Sequence, residues 1–279
     1  MLFRSLDRLD NRPHKPLQIE VTEESYVWSY NHSQDIVFFH LDIRNFGKVP
    51  IEKTYLGLYV QPEVAYAPMF RSGGEFQPDD VVGFVPTYPA LHPCGFVDSV
   101  EFAWAADNDG DPLDGEWVEQ PVPYPELPDP SASTRGAMGF RFLRVPDQGG
   151  WLSFNWWSYD FYADWDYGPM QRVLYRDYHT GFTGEPSGDR NHYFVLGNGE
   201  IDFASPYTAT VRDDARWLLP QRDVAENIAD GQAMRFVLST GPVTVAPGAR
   251  TNVDFCIFAA DNSHVDPHTR ANLPLQPQP

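Results

Sequence analysis

The densest set of ligand-grade oxygens in the sequence is Asp107-Asn108-Asp109-Gly110-Asp111-Pro112-Leu113-Asp114-Gly115-Glu116. Carboxylates at alternate positions 107, 109 and 111, with Asp114 and Glu116 behind them, can converge on one hard cation through a tight turn. Calcium takes about six to eight oxygens, and an acidic loop supplies them. The match to an EF-hand loop is partial, because Pro112 stands at its sixth position and no Glu at its twelfth. The spacing predicts that Asp107, Asp109, Asp111 and Asp114 hold a calcium ion in a structural role; the plainer alternative is a solvated acidic turn.

A second constellation runs from Trp151 to Phe182, where twelve aromatics fall in 32 residues and are interleaved with Asp160, Asp164 and Asp166. Flat apolar rings beside hydrogen-bonding carboxylates suit sugars, whose C–H faces stack on Trp and Tyr while their hydroxyls need acceptors. Alternation assigns Phe154 and Trp156 to the core of a strand. Trp157, Tyr159, Tyr162, Trp165 and Tyr167 then fall in the following loop, where with Asp160 and Asp164 they form a candidate glycan-binding surface. A third, weaker set is His264, Asp266 and His268, which share one face of an extended chain and match a two-histidine, one-carboxylate metal site.

Catalytic signatures are missing: there is no G-x-S-x-G, no H-E-x-x-H, no phosphate-cradling G-x-x-x-x-G-K-[ST] and no strand-borne G-x-G-x-x-G. Cys94 follows His92-Pro93, but adjacency in sequence is no nucleophile–base pair. Carboxylate pairs for glycoside cleavage can be drawn in many ways from so many acids, so none is singled out.

The elements that must position these groups read as strands. Gln18–Tyr30 and Asp35–Phe46 flank a polar turn, and in the second Val37, Phe39, Leu41 and Ile43 alternate with Phe38, His40, Asp42 and Arg44. Ile51–Val60 follows, and the three together predict an antiparallel meander. Weaker strands are expected at Val97–Ala106, Ala137–Leu143, Trp151–Trp157 and Tyr193–Leu196, with a turn at Gly188–Asn191. At the other end Met234–Ser239 is a strand broken by Thr240-Gly241-Pro242, Val243–Val245 is a short extended piece, and Thr251–Ala259 alternates Val253, Phe255 and Ile257. One helix is expected over Arg222–Ala229, and the run Pro121–Pro130 is a loop because proline cannot donate to a ladder. The fold class is therefore all-β, an antiparallel sandwich of immunoglobulin-like or jelly-roll style with long loop insertions and at most one or two short helices. The expected organisation is an N-terminal extension over 1–17, one domain over 18–260 with a large insertion at about 66–230, and an extended tail over 261–279.

Composition agrees with that class. Among 279 residues, 26 Pro and 21 Gly interrupt any long helix, which excludes a bundle or coiled coil. Hydrophobic residues at 42% suffice for a core, and 19 Phe, 14 Tyr and 8 Trp favour strands. A net charge of −19 argues against a nucleic-acid partner. No apolar run reaches the ~18 residues of a membrane-spanning helix, and Met1–Pro16 lacks the apolar core of a signal peptide. Cys94 and Cys256, far apart in sequence, read as two buried thiols ahead of a disulfide.

The stretch from Glu24 to Val64, "ESYVWSY…DIVFFHLDIRNFGKVPIEKTYLGLYVQPEV", resembles a module of large, mostly uncharacterised bacterial secreted and cell-surface proteins. "AADNDGDP", "SFNWW", "GDRNHYFVLGNGEIDF" and "RFVLSTGPVTVAPG" are similar to blocks in the same order there, so the likeness covers most of residues 20–268. It implies an extracellular or cell-surface β-sandwich, brings no reaction with it, and makes this chain look like part of something longer or a short member. Three functions follow as expectations: a non-catalytic, calcium-stabilised module that binds glycan or packs into a surface assembly; a polysaccharide hydrolase or lyase using paired carboxylates near an aromatic cleft; and a structural subunit of a filament or layer. The expected partners are glycan or neighbouring protein subunits, self-association included.

Overall fold

Alternating apolar residues, punctuated by Pro, Gly and Asn turns, fold this chain into strands that pack as two layers. The structure is a computed structural model that describes residues 6, 11–64, 80–87, 95, 99–108, 136–146, 151–158, 186, 188–207, 228–229 and 231–261. In chain order the strands are β1 (Ile19–Tyr26), β2 (Ile36–Asn45), β3 (Ile51–Val60), β4 (Asp80–Thr87), β5 (Ser99–Asp107), β6 (Ala137–Arg144) and β7 (Trp151–Ser158). Helix α1 (Asp189–Gly197) and a 3-10 turn (Ser205–Tyr207) come next, followed by β8 (Met234–Val245) and β9 (Arg250–Ala260). Six strands form one antiparallel sheet in the order β1-β2-β9-β6-β5-β4, and three form the other in the order β3-β8-β7. The fold is an all-β antiparallel sandwich.

The core lies between the two sheets. Val82, Phe84, Ala103, Ala105 and Phe140 of the larger sheet meet Phe154, Trp156, Met234, Phe236 and Leu238 of the smaller. Small Ala103 and Ala105 leave room for the rings opposite, so large and small residues interdigitate at native density. The outer faces carry their own covers. The 3-10 turn brings Ala204 and Tyr207 onto Val81, Trp104 and Ala106. Helix α1 brings Val195 onto Trp157 and Val237. Gly139 is needed where the Phe258 ring lies on the sheet, since any Cβ would meet that ring.

Several strands sit where alternation places them, and Ile51–Val60 keeps its sequence-read bounds. The meander does not survive: β1 pairs with β2, but β3 crosses to the other sheet and pairs with β8, while β2 pairs with β9. The expected break at Gly241-Pro242 lies inside the continuous strand β8, with a cis bond and Gly241 at φ 147°. Opposite this point β3 shifts register between Ile51 and Leu56. Tyr193–Leu196 is helix, not strand, and the expected turn at Gly188–Asn191 is its start. Asn191 and Val195, one helical turn apart, are the buried pair, and Asp189 sits in the first turn where the helix dipole favours an acid. Of the expected helix Arg222–Ala229 only Ile228 and Ala229 are described, and both are helical. The stretch set apart as an insertion, 66–230, supplies β4 to β7, which are integral to both sheets. Cys256 is a free, buried thiol whose pKa burial pushes up, with Arg141 opposing; Cys94 lies outside the described residues.

Candidate functional site

Of the expected calcium ligands, Asp107 is the last residue of β5 and is buried, as is Asn108 after it. Asp109, Asp111 and Asp114 lie outside the described residues. The register pairs Asp107 with Asp80, the first residue of β4, so two buried carboxylates stand side by side on one face of the sheet end. Asp80 accepts a hydrogen bond from the Val64 amide at 3.0 Å. Sequence reading did not couple Asp80 to the acidic loop, because only the β4–β5 register reveals the pair. No group of three or more metal-ligating side chains occurs among the described residues.

Of the expected glycan surface, Trp157 lies within β7 and not in the loop beyond it, and it is buried beneath α1. Phe154 and Trp156 are core, as alternation predicts. Tyr159, Asp160, Tyr162, Asp164, Trp165 and Tyr167 lie outside the described residues, and so do His264, Asp266 and His268.

One cluster of exposed aromatics among the described residues lies at an edge of the larger sheet. Strand β1 ends the larger sheet, beyond the reach of the three-stranded sheet, and all its residues are exposed. From its end Tyr26, Trp28 and Tyr30 project rings that are 44%, 46% and 63% exposed, so about half of each is open to a ligand. The rings of Tyr26 and Trp28 are nearly parallel, 18° apart with centroids 6.1 Å apart. Phe38 on β2 holds the Trp28 ring edge-on at 5.2 Å, and His32 stacks on Tyr30 at 5.6 Å and 4°. A turn closed by Ser33 N–H donating to the Tyr30 carbonyl at 2.8 Å fixes the far end. The Tyr26 hydroxyl donates to Glu24 at 2.8 Å, and that hydrogen bond raises its pKa and keeps the phenol neutral. Each ring is thus seated against a neighbour before any ligand arrives, which lowers the ordering cost of binding. The signal in the sequence was the alternation of Tyr, Trp and Tyr in "SYVWSY"; only the sheet order shows that it stands at the edge of a sheet.

The polar interior is structural. The segment Glu200–Phe203 clamps β7: Phe154 N–H donates to the Glu200 carbonyl, Asp202 N–H to the Phe154 carbonyl, and the Trp156 indole to the Phe203 carbonyl at 2.7 Å. Asp202 accepts from the Trp156 amide at 3.0 Å and is buried, so no substrate reaches it. Burial, and then the charge of Glu200, raises the Asp202 pKa well above the usual carboxylate range, with the Trp156 N–H opposing. Asp202 therefore keeps its proton in the fold at pH values where the unfolded chain, titrating near about pH 4, has lost it. The folded state holds more protons there, so this residue's contribution to stability is full below that pH and declines as pH rises towards the folded pKa. Asp202→Asn should remove the decline. Its melting temperature relative to wild type is expected to improve steadily from pH 4 towards neutrality, and parallel pH profiles would show that Asp202 ionises as it does in the unfolded chain. On the outer face of the larger sheet, Arg144 reaches both oxygens of Asp254, at 2.8 and 3.2 Å, and His40 shares that carboxylate. These half-exposed pairs join β2, β6 and β9 and add little stability each.

Comparison with known proteins yields neither a family model nor a curated protein that matches this chain.

Proposed function

We propose that this protein is a non-catalytic β-sandwich module of the extracellular or cell-surface kind, which binds glycan through Tyr26, Trp28 and Tyr30. The observation that carries this reading is the exposed, pre-seated aromatic ledge at the end of β1. Pyranose rings stack their C–H faces on such rings, and Glu24 on the Tyr26 face of β1 and His32 beside Tyr30 supply polar partners for hydroxyls. The raised-pKa carboxyl among the described residues, Asp202, serves the fold and not a cleft. The test is affinity electrophoresis on a panel of polysaccharides beside a reducing-sugar assay. Retardation without new reducing ends is expected, and new reducing ends would replace the module with a carbohydrate-active enzyme.

A second reading, packing into a surface assembly, is favoured by the same edge. Most of the exposed large hydrophobics among the described residues fall between Leu17 and Val49, on and around the edge strand β1. Light scattering at rising concentration distinguishes the two, since an assembly module grows in mass without glycan.

Calcium belongs to this proposal as the ion that orders the loop after β5. The support is the buried Asp80–Asp107 pair, which lies where Asp109, Asp111 and Asp114 follow in sequence. Two buried carboxylates side by side would repel if both were ionised, and a divalent cation would offset that repulsion. Calcium at a hundredfold excess over its dissociation constant should stabilise the fold by about 2.7 kcal/mol over EDTA. Asp107→Ala should erase the difference. Coincident wild-type melting curves in EDTA and millimolar calcium would remove the ion from the proposal.

A further inference from the structure

The ledge of Tyr26, Trp28 and Tyr30 adjoins a field of charges on the outer face of the larger sheet. Residues directly opposite across β1 and β2 share a face, and the register sets Glu20 against Arg44, Thr22 against Asp42, Glu24 against His40 and Tyr26 against Phe38. The pairing of β2 with β9 continues that face to Asp254, opposite His40. Four carboxylates of these three strands therefore face outward: Glu20, Glu24, Asp42 and Asp254. Arginines answer three of them. Arg44 lies 3.7 Å from Glu20, Arg250 2.7 Å from Asp42 and Arg144 2.8 Å from Asp254. Glu24 belongs to no ion pair among the described residues, and His40 across from it turns Nδ1 to Asp254 instead. What Glu24 does hold is the Tyr26 hydroxyl, at 2.8 Å, so its carboxylate stands at the rim of that ring. A negative charge without a cation of its own is thus fixed beside two nearly parallel rings that are about half open. An ammonium group placed there gains twice, from the carboxylate and from the negative face of an aromatic ring. The net charge of −19 acts in the same sense at longer range, attracting cations and repelling polyanions.

We propose that the glycan taken by this ledge carries free amino groups, as a polymer of 2-amino-2-deoxy sugars does, and that one ammonium pairs with Glu24 while the sugar rings stack on Tyr26 and Trp28. This inference rests on the glycan reading and names the class of sugar within it. Sugars with hydroxyl or acetylated amine at that position lack the charge, and uronates and sulfated sugars carry the opposite one.

The test uses two probes that differ only at the 2-position: the tetramers of β-1,4-linked glucosamine and of β-1,4-linked glucose. Low salt and about pH 6 keep glutamates ionised, since they titrate near about 4.3, and amino-sugar amines protonated. In ¹⁵N-labelled full-length protein the indole resonance of Trp28 is identified by its loss in Trp28→Phe, and its shift reports binding at the ledge. The glucosamine tetramer should move it and bind roughly fivefold more tightly than the glucose tetramer, the factor expected for one exposed ion pair with one exposed cation–π contact. Glu24→Gln keeps an acceptor for the Tyr26 hydroxyl and should erase that preference. Glu52→Gln, which removes an exposed carboxylate from β3 in the other sheet, should retain it. Equal affinities for the two tetramers overturn the inference, as does a preference that survives Glu24→Gln or a Trp28 resonance that neither tetramer moves. Retardation of the protein by a neutral polysaccharide, with no advantage for glucosamine, overturns this inference alone and leaves the glycan reading standing.

Discussion

Replacing Asn45 with alanine should lower the unfolding free energy by about 3 kcal/mol, although the residue touches no ligand. Asn45 ends β2 at the point where the chain leaves the larger sheet for the smaller, and it is fully buried. Its side-chain amide donates to the carbonyls of Val49 at 2.8 Å and Val245 at 2.9 Å, and its oxygen accepts from the Gly47 amide at 2.8 Å. Its backbone N–H donates to the Ala249 carbonyl at 3.0 Å, and its carbonyl accepts from Gly248 at 2.8 Å. One residue thereby fastens the end of β2, the approach to β3, the end of β8 and the turn before β9. Alanine deletes the three side-chain bonds. Val49 is exposed and its carbonyl can turn to water, but the Val245 carbonyl is left at a buried position. Each orphaned buried group costs about 1–3 kcal/mol, which sets the estimate. Asn45→Asp should be worse than alanine, because it presents acceptor oxygens to two carbonyls. Urea unfolding measures both, and a loss below about 1 kcal/mol with an unchanged denaturant slope would mean that the crossing is held elsewhere.

Phe236→Ala should cost about as much or more, in the range of about 3–5 kcal/mol for a buried phenylalanine. Phe236 is fully buried at the centre of the core. It meets Phe140 of the facing sheet edge-on, with centroids 5.3 Å apart and planes at 73°, and Phe154 of the neighbouring strand at 5.5 Å and 50°. Its removal opens a void against rigid strands on both sides, and sheets held by continuous ladders cannot collapse into it. Phe236→Leu, which keeps most of the volume, should cost clearly less. A Phe236→Ala loss under about 2 kcal/mol, read from the same urea transitions, would place the main packing contact between the sheets somewhere else.

Much of the fold was legible because alternation is a local signal. Strands β2, β3 and β9 each present one apolar face, and Phe154 and Trp156 sit in the core where the period of two puts them. Strand β4 carries no such signal. Val81 and Val82 are buried on opposite faces, one under the 3-10 turn and one in the core, so the run reads as continuously apolar. Helix α1 fails for a related reason. "HYFVL" is a short apolar run, and length is the only thing that separates a strand from a helix there. The partners of β2 and β3 were not legible at all. A turn after β2 looks like a hairpin, whereas the choice of sheet is made by Asn45 and by residues some 200 positions away.

The candidate sites divide in the same way. Composition drew the glycan reading to the aromatic block after Trp151, yet Trp157, the one residue of that surface among the described residues, is buried beneath α1. The exposed rings stand at and just beyond the end of β1, an edge strand of ordinary composition whose exposure is a property of sheet order. Pairing across a sheet is likewise what sets Asp80 beside Asp107, and no spacing along the chain encodes it.

The central claim is that the ledge of Tyr26, Trp28 and Tyr30 at the end of β1 binds glycan, and its most direct test is the migration of Trp28→Ala in native gels cast with polysaccharide. Trp28 is the best single target because it lies against both Tyr26 and Phe38 while nearly half of its surface stays open. Aromatic anchors of this kind commonly contribute about 2 kcal/mol or more to binding, a loss of roughly thirtyfold in affinity. Wild-type protein should be retarded in at least one polysaccharide gel, and Trp28→Ala should run there as it does in a gel without polysaccharide. Equal retardation of the two proteins, or free migration of wild type through the whole panel, would contradict the claim.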